Sequence, residues 1–132
     1  MGILAKKKNT NILIVEDMPI IAEDMRQTLD MLGYKNADVA ISDKRALDLN
    51  REKKYDLIFM DIRLEGSTMD GIELSRIINN DIPIIYCTAY SDGETIRNII
   101  RSPHLSYILK PFEVEKIKDI LDAVLLRAGS KK

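Results

Sequence analysis

DLIFMDIRLEGSTMDGIEL (56–74) passes from an apolar run, through one carboxylate, into a loop punctuated by glycines and then a helical period. The run DLIFM (56–60) is apolar at nearly every position and has the length of a strand. Continuous rather than alternating hydrophobicity suits a parallel strand covered on both faces. It ends on Asp61, where an uncompensated charge at the mouth of a core is costly. Gly66 and Gly71 read as residues serving loop geometry, and a helix is expected over 71–80.

Working outward, three more apolar runs end on a polar residue. NILIV (11–15) ends on Glu16 and Asp17, PIIYC (83–87) on Thr88, and YIL (107–109) on Lys110, with Pro111 behind it. Strands are expected at 11–15, 37–41, 56–60, 83–87 and 105–109, rich in Ile, Val, Leu and Tyr. Helices are expected at about 18–32, 43–53, 71–80, 92–102 and 112–128. In the first, Ile21, Met25, Thr28 or Leu29, and Leu32 form a stripe that Gly33 terminates. Ser42 or Asp43 caps the second, and Ser91 or Asp92 the fourth. The last carries Val114, Ile117, Ile120, Leu121, Val124 and Leu125 on one face. Alternating βα units predict a parallel sheet with right-handed crossovers and helices on both faces. The polar residues then meet at the C-terminal edge of the sheet, where open α/β sheets bind ligands.

Length and composition fit one soluble domain over 1–132, with a core of about 10–128 and short polar tails that include Lys6–Lys8 and Lys131–Lys132. The hydrophobic fraction is 45%, the charged fraction 31% and the net charge −1. These values give no nucleic-acid footprint and no membrane anchor. The single cysteine, Cys87, lies in an apolar run and reads as a buried structural thiol in a reducing cytoplasm. The start MGILAKKKN is no signal peptide, and Lys6 argues against myristoylation.

The stretches EDM (16–18), MDIRLEG…MDGIEL (60–74), TAY (88–90) and YILKPF (107–112) resemble the receiver domain of two-component response regulators, in its stand-alone, chemotaxis-regulator-like form. The likeness covers about residues 10–128, with its motifs in order on consecutive elements. It implies a flavodoxin-like (βα)5 fold, doubly wound, with five parallel strands in the order 2-1-3-4-5. It further implies phosphorelay signalling, in which a sensor histidine kinase donates a phosphoryl group to Asp61.

The side-chain chemistry agrees with that role. Asp61 is the candidate nucleophile that forms an acyl phosphate. A phosphoryl group entering a site with three carboxylates needs a divalent cation, and hard oxygen ligands select Mg²⁺. Mutual repulsion without the metal raises at least one carboxylate pKa. By resemblance, Asp17 and Asp61 bind the ion through their carboxylates, Glu16 through water, and Arg63 through its backbone carbonyl. Lys110 supplies a point positive charge and Thr88 a hydroxyl to phosphoryl oxygens. Pro111 resembles the family's cis-proline. Tyr107 resembles an aromatic switch that moves inward when Thr88 swings toward phosphate. An aromatic packed on an edge strand is the plainer alternative, and the place of Tyr107 three residues before Lys110, as in the family, favours the switch. The output surface would lie within 92–128, with Arg97, Arg101, Tyr107, Lys116 and Asp119 as candidate contacts.

Taken singly, these residues have plainer explanations. Asp17 caps a helix, Asp61 is a loop carboxylate, Thr88 an ordinary strand residue, and Lys110 a surface cation. Their recurrence at four strand ends favours the site. His104, beside Pro103, reads as a surface imidazole. Three departures from the family pattern stand out: Glu16 where Asp is frequent, Glu65 where Pro is frequent, and a slightly long Asp61–Asp70 loop. Arg63 and Tyr90 flank the phosphorylation position, which leaves phosphate lifetime open.

A Mg²⁺-dependent phosphohydrolase of the haloacid-dehalogenase type is the alternative, although its Asp-x-Asp pair would need an acid at position 63, which is Arg. A flavodoxin-like binder lacks its phosphate loop after the first strand, and a phosphate-independent pseudo-receiver would lack a site residue. Expected partners are a sensor histidine kinase and an unknown downstream protein or histidine phosphotransferase, with no nucleic acid and no membrane. The expected state is a monomer or weak homodimer.

Overall fold

The computed structural model of the chain describes residues 3–78, 81–89, 97 and 106–126. Strands β1 (Asn11–Val15), β2 (Asn36–Ala40), β3 (Leu57–Asp61), β4 (Ile84–Ala89) and β5 (Ser106–Lys110) form one five-stranded sheet in the order β2-β1-β3-β4-β5. Every neighbouring pair is parallel, as expected. The helices are α1 (Ile3–Lys8), α2 (Pro19–Met31), α3 (Asp43–Glu52), α4 (Gly71–Ile78) and α5 (Val114–Leu121), the last continuing as a π-helical turn, Asp122–Leu126.

β3, β4 and β5 reach one or two residues beyond their apolar runs, so Asp61, Thr88 and Lys110 belong to the strands themselves. Asp61 pairs in register with Cys87, and Ala89 with Lys110. Backbone pairing continues where hydropathy stops, because each peptide unit needs partners whatever side chain it carries.

Consecutive residues of β1 and β3 serve opposite faces of the sheet. Leu13, Val15, Ile58 and Met60 pack with Ala46, Leu74 and Ile78 on the α3 and α4 side. Ile12, Ile14, Leu57 and Phe59 pack with Met25, Leu29, Ile117 and Leu121 on the α2 and α5 side. Phe59, Leu13 and Met25 are among the largest fully buried side chains. Each stabilises the fold by about 1.5–3 kcal/mol relative to exposure.

Pro19 opens α2, where its missing N–H costs nothing. Gly33, at φ +101°, ends the segment after α2, with Gly33 N donating to Asp30 O and Tyr34 N to Leu29 O. The buried stripe of α2 is Ala22, Met25 and Leu29, with Ile21 only partly covered. On α5, Ile117 and Leu121 are buried while Val114 is 42% exposed, so the expected apolar face is narrower than its pattern. Val114 is the first residue of the helix.

The N-terminal lysines depart from the expected tail. Lys6–Lys8 are helical in α1, and Lys7 Nζ donates to Leu32 O at 3.0 Å. The same ammonium lies 5.4 Å from the Tyr34 ring centroid. A cation beside a helix C-terminus meets both an unpaired carbonyl and the negative end of the macrodipole. The expected 92–102 helix, apart from helical and exposed Arg97, lies outside the described residues, as do Tyr90, Arg101, His104, Lys131 and Lys132. Among the described residues no helix is long and apolar enough to cross a membrane.

Candidate functional site

Parallel strands deliver their last residues to one edge, and the strand order makes β1, β3, β4 and β5 consecutive there. Glu16 and Asp17 follow β1, Asp61 ends β3, Thr88 is next to last in β4, and Lys110 ends β5. Asp17, Asp61, Arg63, Thr88 and Lys110 line one open cleft. Glu16 sits deeper, lining a small cavity beneath it with Phe59 and Phe112.

Lys110 ties the outer strand to the centre of the site. Its Nζ is 2.7 Å from Glu16 Oε1 and 3.3 Å from Asp61 Oδ2. Burial pulls its pKa down, but the two carboxylates together outweigh burial and hold the ammonium above its ordinary range. Burial raises the pKa of Glu16, and the nearby Asp61 carboxylate adds to the rise despite Lys110. Asp17 is raised too, by burial first and then by Glu16, against the lowering effect of the Glu65 N–H.

Carboxylate oxygens of Glu16, Asp17 and Asp61 lie within 4.8 Å of one another. Glu16 Oε2 is buried and has no hydrogen-bond partner among the described residues. An uncompensated anionic oxygen is costly in such a place. That orphan, with a donor set made wholly of oxygen, fits a hard divalent cation such as Mg²⁺. Glu16 reaches Lys110 directly, an arrangement that the family's water-mediated role for this residue did not anticipate.

Around the nucleophile candidate, Arg63 N donates to Asp61 Oδ1 at 3.3 Å and Ile62 N to Cys87 O at 3.2 Å. Among the described residues, the Thr88 hydroxyl makes a single long contact, with Ala89 O at 3.4 Å, and is weakly committed there. Cys87 is buried and free, and burial pushes its thiol pKa up, so it is an inert packing group. Tyr107 is 40% exposed on β5. Lys110–Pro111 is a cis peptide bond, as the resemblance implied.

Gly66, at φ +79°, serves loop geometry as expected. Gly71 does something more specific. Its N donates to Ile62 O at 2.8 Å, and a Cβ there would stand 2.1 Å from Asp61 O. Glycine thus lets α4 start directly against the backbone that carries Asp61.

Two relationships were missed in the sequence. Glu65 N donates to Asp17 Oδ2 at 2.8 Å. Thr68 donates to Asp43 Oδ2 through both its N, at 3.1 Å, and its Oγ1, at 2.9 Å. Neither leaves a local pattern in the sequence, because each joins residues far apart in the chain.

The response regulator receiver domain family model matches residues 12–122. Sporulation initiation phosphotransferase F of Bacillus subtilis (strain 168) is 30% identical over 120 residues, covering 89% of this chain and 94% of that protein. Transcriptional regulatory protein ZraR of Escherichia coli (strain K12) is 32% identical over 125 residues, 92% of this chain but 28% of that protein. This chain thus spans under a third of the ZraR relatives. A crystal structure of a two-component response regulator from Clostridium difficile superposes with a TM-score of 0.81 at 31% identity, covering 92% of this chain and 100% of that one. Nothing in these likenesses supports the phosphohydrolase alternative. With the parallel sheet, its strand order and the acidic edge, they establish that the chain belongs to the response regulator receiver domain family, the phosphoacceptor switches of two-component phosphorelay signalling.

Proposed function

We propose that Asp61 is the phosphoacceptor and that this chain assists its own phosphorylation and dephosphorylation. An Asp61 carboxylate oxygen attacks the phosphorus of a sensor kinase's phosphohistidine. The new O–P bond forms as the N–P bond breaks, and the departing imidazole nitrogen recovers its electron pair. Lys110, held between Glu16 and Asp61, neutralises charge on the transferring oxygens, and the Thr88 hydroxyl donates to another. Positioning and charge stabilisation are most of what a loose phosphoryl transition state asks of a protein. The observation that carries this reading is the Lys110 ammonium 3.3 Å from Asp61 Oδ2 at the C-terminal sheet edge.

Mg²⁺ is the cation of this site, held by Asp17 and Asp61, by the Arg63 backbone carbonyl and by Glu16 through water. When bound, it offsets the negative charge that the phosphoryl group adds to three carboxylates. Receiver domains take Mg²⁺ in an acidic pocket of this kind and meet sensor histidine kinases and phosphotransferases.

Phosphorylation shifts a pre-existing equilibrium, with Thr88 moving toward the phosphate and Tyr107 moving inward. The surface within 92–128, including Arg97, Tyr107, Lys116 and Asp119, then changes its affinity for a downstream protein or histidine phosphotransferase. Coverage of nearly the whole length of a named phosphotransferase favours the relay role. The core of about 10–128 acts as one unit in the cytoplasm, as a monomer or weak homodimer. Labelling with Mg²⁺ and acetyl phosphate tests the proposal: the wild type takes up one acid-stable, base-labile phosphate, and equal labelling of Asp61→Asn would overturn it.

A further inference from the structure

The loop between β3 and α4 is fastened at two carboxylates that belong to different parts of the fold. At one end, Glu65 N donates to Asp17 Oδ2 at 2.8 Å. Three residues on, Thr68 N and Oγ1 both donate to Asp43 Oδ2. Asp43 is the first residue of α3 and only 5% exposed. Its Oδ1 accepts from Lys44 N at 2.8 Å, and its own N donates to Ser67 Oγ at 3.2 Å. A carboxylate at a helix N-terminus is favoured by the macrodipole, so the anchor is itself well seated.

Little slack separates the two fastenings. Leu64 is buried in the core, Ser67 N donates to Leu64 O at 3.2 Å, and Gly66 makes the turn between them. The two contacts stand three residues apart on one short stretch of chain, so a hold on Thr68 limits where the Glu65 N–H can lie relative to Asp17. A carboxylate held by one oxygen presents the other in a restricted direction. Hydrogen bonds that orient a ligating group are a principal determinant of metal affinity.

We infer that Asp43 and Thr68 are positioning residues for the cation cradle, acting on Asp17 through the Glu65 amide. The inference rests on the reading of Asp17 as a cation ligand. If Asp43 serves only to start α3, its loss lowers stability and leaves the affinity of the folded protein for Mg²⁺ unchanged. If it positions the cradle, affinity falls and the loop amide loosens with it.

The test is Mg²⁺ titration calorimetry of the folded wild type, Thr68→Val, Thr68→Ser and Asp43→Asn, with hydrogen exchange at the Glu65 amide measured without metal. Thr68→Val keeps the backbone bond and is exposed, so it does not threaten the fold. The expected result for Thr68→Val and Asp43→Asn is an Mg²⁺ Kd raised about 3- to 10-fold, at or below the low end for outer-shell partners. Glu65 exchange quickens in both, and Thr68→Ser restores both readouts. An unchanged Kd in folded Thr68→Val overturns the inference. A wild type that takes up no Mg²⁺ overturns the reading of the cradle and the inference with it. Those two failures are told apart by the wild-type titration.

Discussion

Lys110 Nζ stands 2.7 Å from Glu16 Oε1, joining the last residue of β5 to the residue that follows β1. When all are ionised, the carboxylates of Glu16, Asp17 and Asp61 outnumber the Lys110 ammonium among them. The ammonium therefore tempers the site without neutralising it, leaving a role for a divalent cation.

Replacing Lys110 by Met keeps much of the apolar stem and removes the charge. Labelling by acetyl phosphate at saturating Mg²⁺ is expected to slow by about 10²–10³-fold, the usual cost of one preorganised donor to a developing charge. Rates followed on denaturing phosphate-affinity gels check this, and an unchanged rate contradicts the role given to Lys110.

The proposed binding of Mg²⁺ to the native cradle is expected to stabilise the fold by about 2.7 kcal/mol at a hundredfold excess over Kd. Glu16 and Asp17 have raised pKa values, so protons compete with the metal above the ordinary carboxylate range. Affinity should therefore tighten as pH rises through that window. Thermal melts with and without Mg²⁺ across pH give the measurement, with Asp17→Asn as the control that loses the response.

Gly71→Ala sets a methyl group 2.1 Å from Asp61 O and 2.9 Å from Met60 Cγ. A backbone carbonyl cannot step aside as a flexible side chain can. We expect a loss of about 3 kcal/mol, at the upper end for overpacking, together with slower labelling as the end of β3 shifts. Denaturant midpoints at constant slope measure the first effect.

The pKa of Asp43 is shifted in the opposite direction to that of Glu16. Burial works to raise its pKa, yet Thr68 and the amides of Lys44, Thr68 and Met69 together bring it below the ordinary carboxylate value. Between the lowered folded pKa and the ordinary unfolded one, the unfolded chain binds more protons. Stability from this carboxylate is therefore present above the ordinary value and lost as pH falls through the folded one. The stability gap between wild type and Asp43→Asn should narrow over that acidic window, as read from urea unfolding at stepped pH.

What was legible in the sequence followed from regularity. Asp17, Asp61, Thr88 and Lys110 could be placed together because parallel strands repeat one direction, and each apolar run announces its own end. Other relationships carry no local pattern. The Asp43–Thr68 contact joins residues 25 apart through the path of a loop. Gly71 is needed because of a carbonyl on the preceding strand, which periodicity does not reveal. Lys7 looks like a tail residue until α2 ends beside it and leaves the Leu32 carbonyl to be paired. Val114 belongs to the right helical face but to the wrong end of it. Hydropathy assigns a face, while burial also depends on where along the helix a residue falls.

The most direct measurement of the central claim is chemical localisation of the phosphate. After treatment with Mg²⁺ and acetyl phosphate, borohydride reduces an acyl phosphate at aspartate to homoserine, and peptide mass spectrometry reads the position. The account predicts homoserine at position 61 and at no other aspartate. Conversion at Asp17 instead, or none anywhere in a folded, Mg²⁺-bound protein, would contradict it.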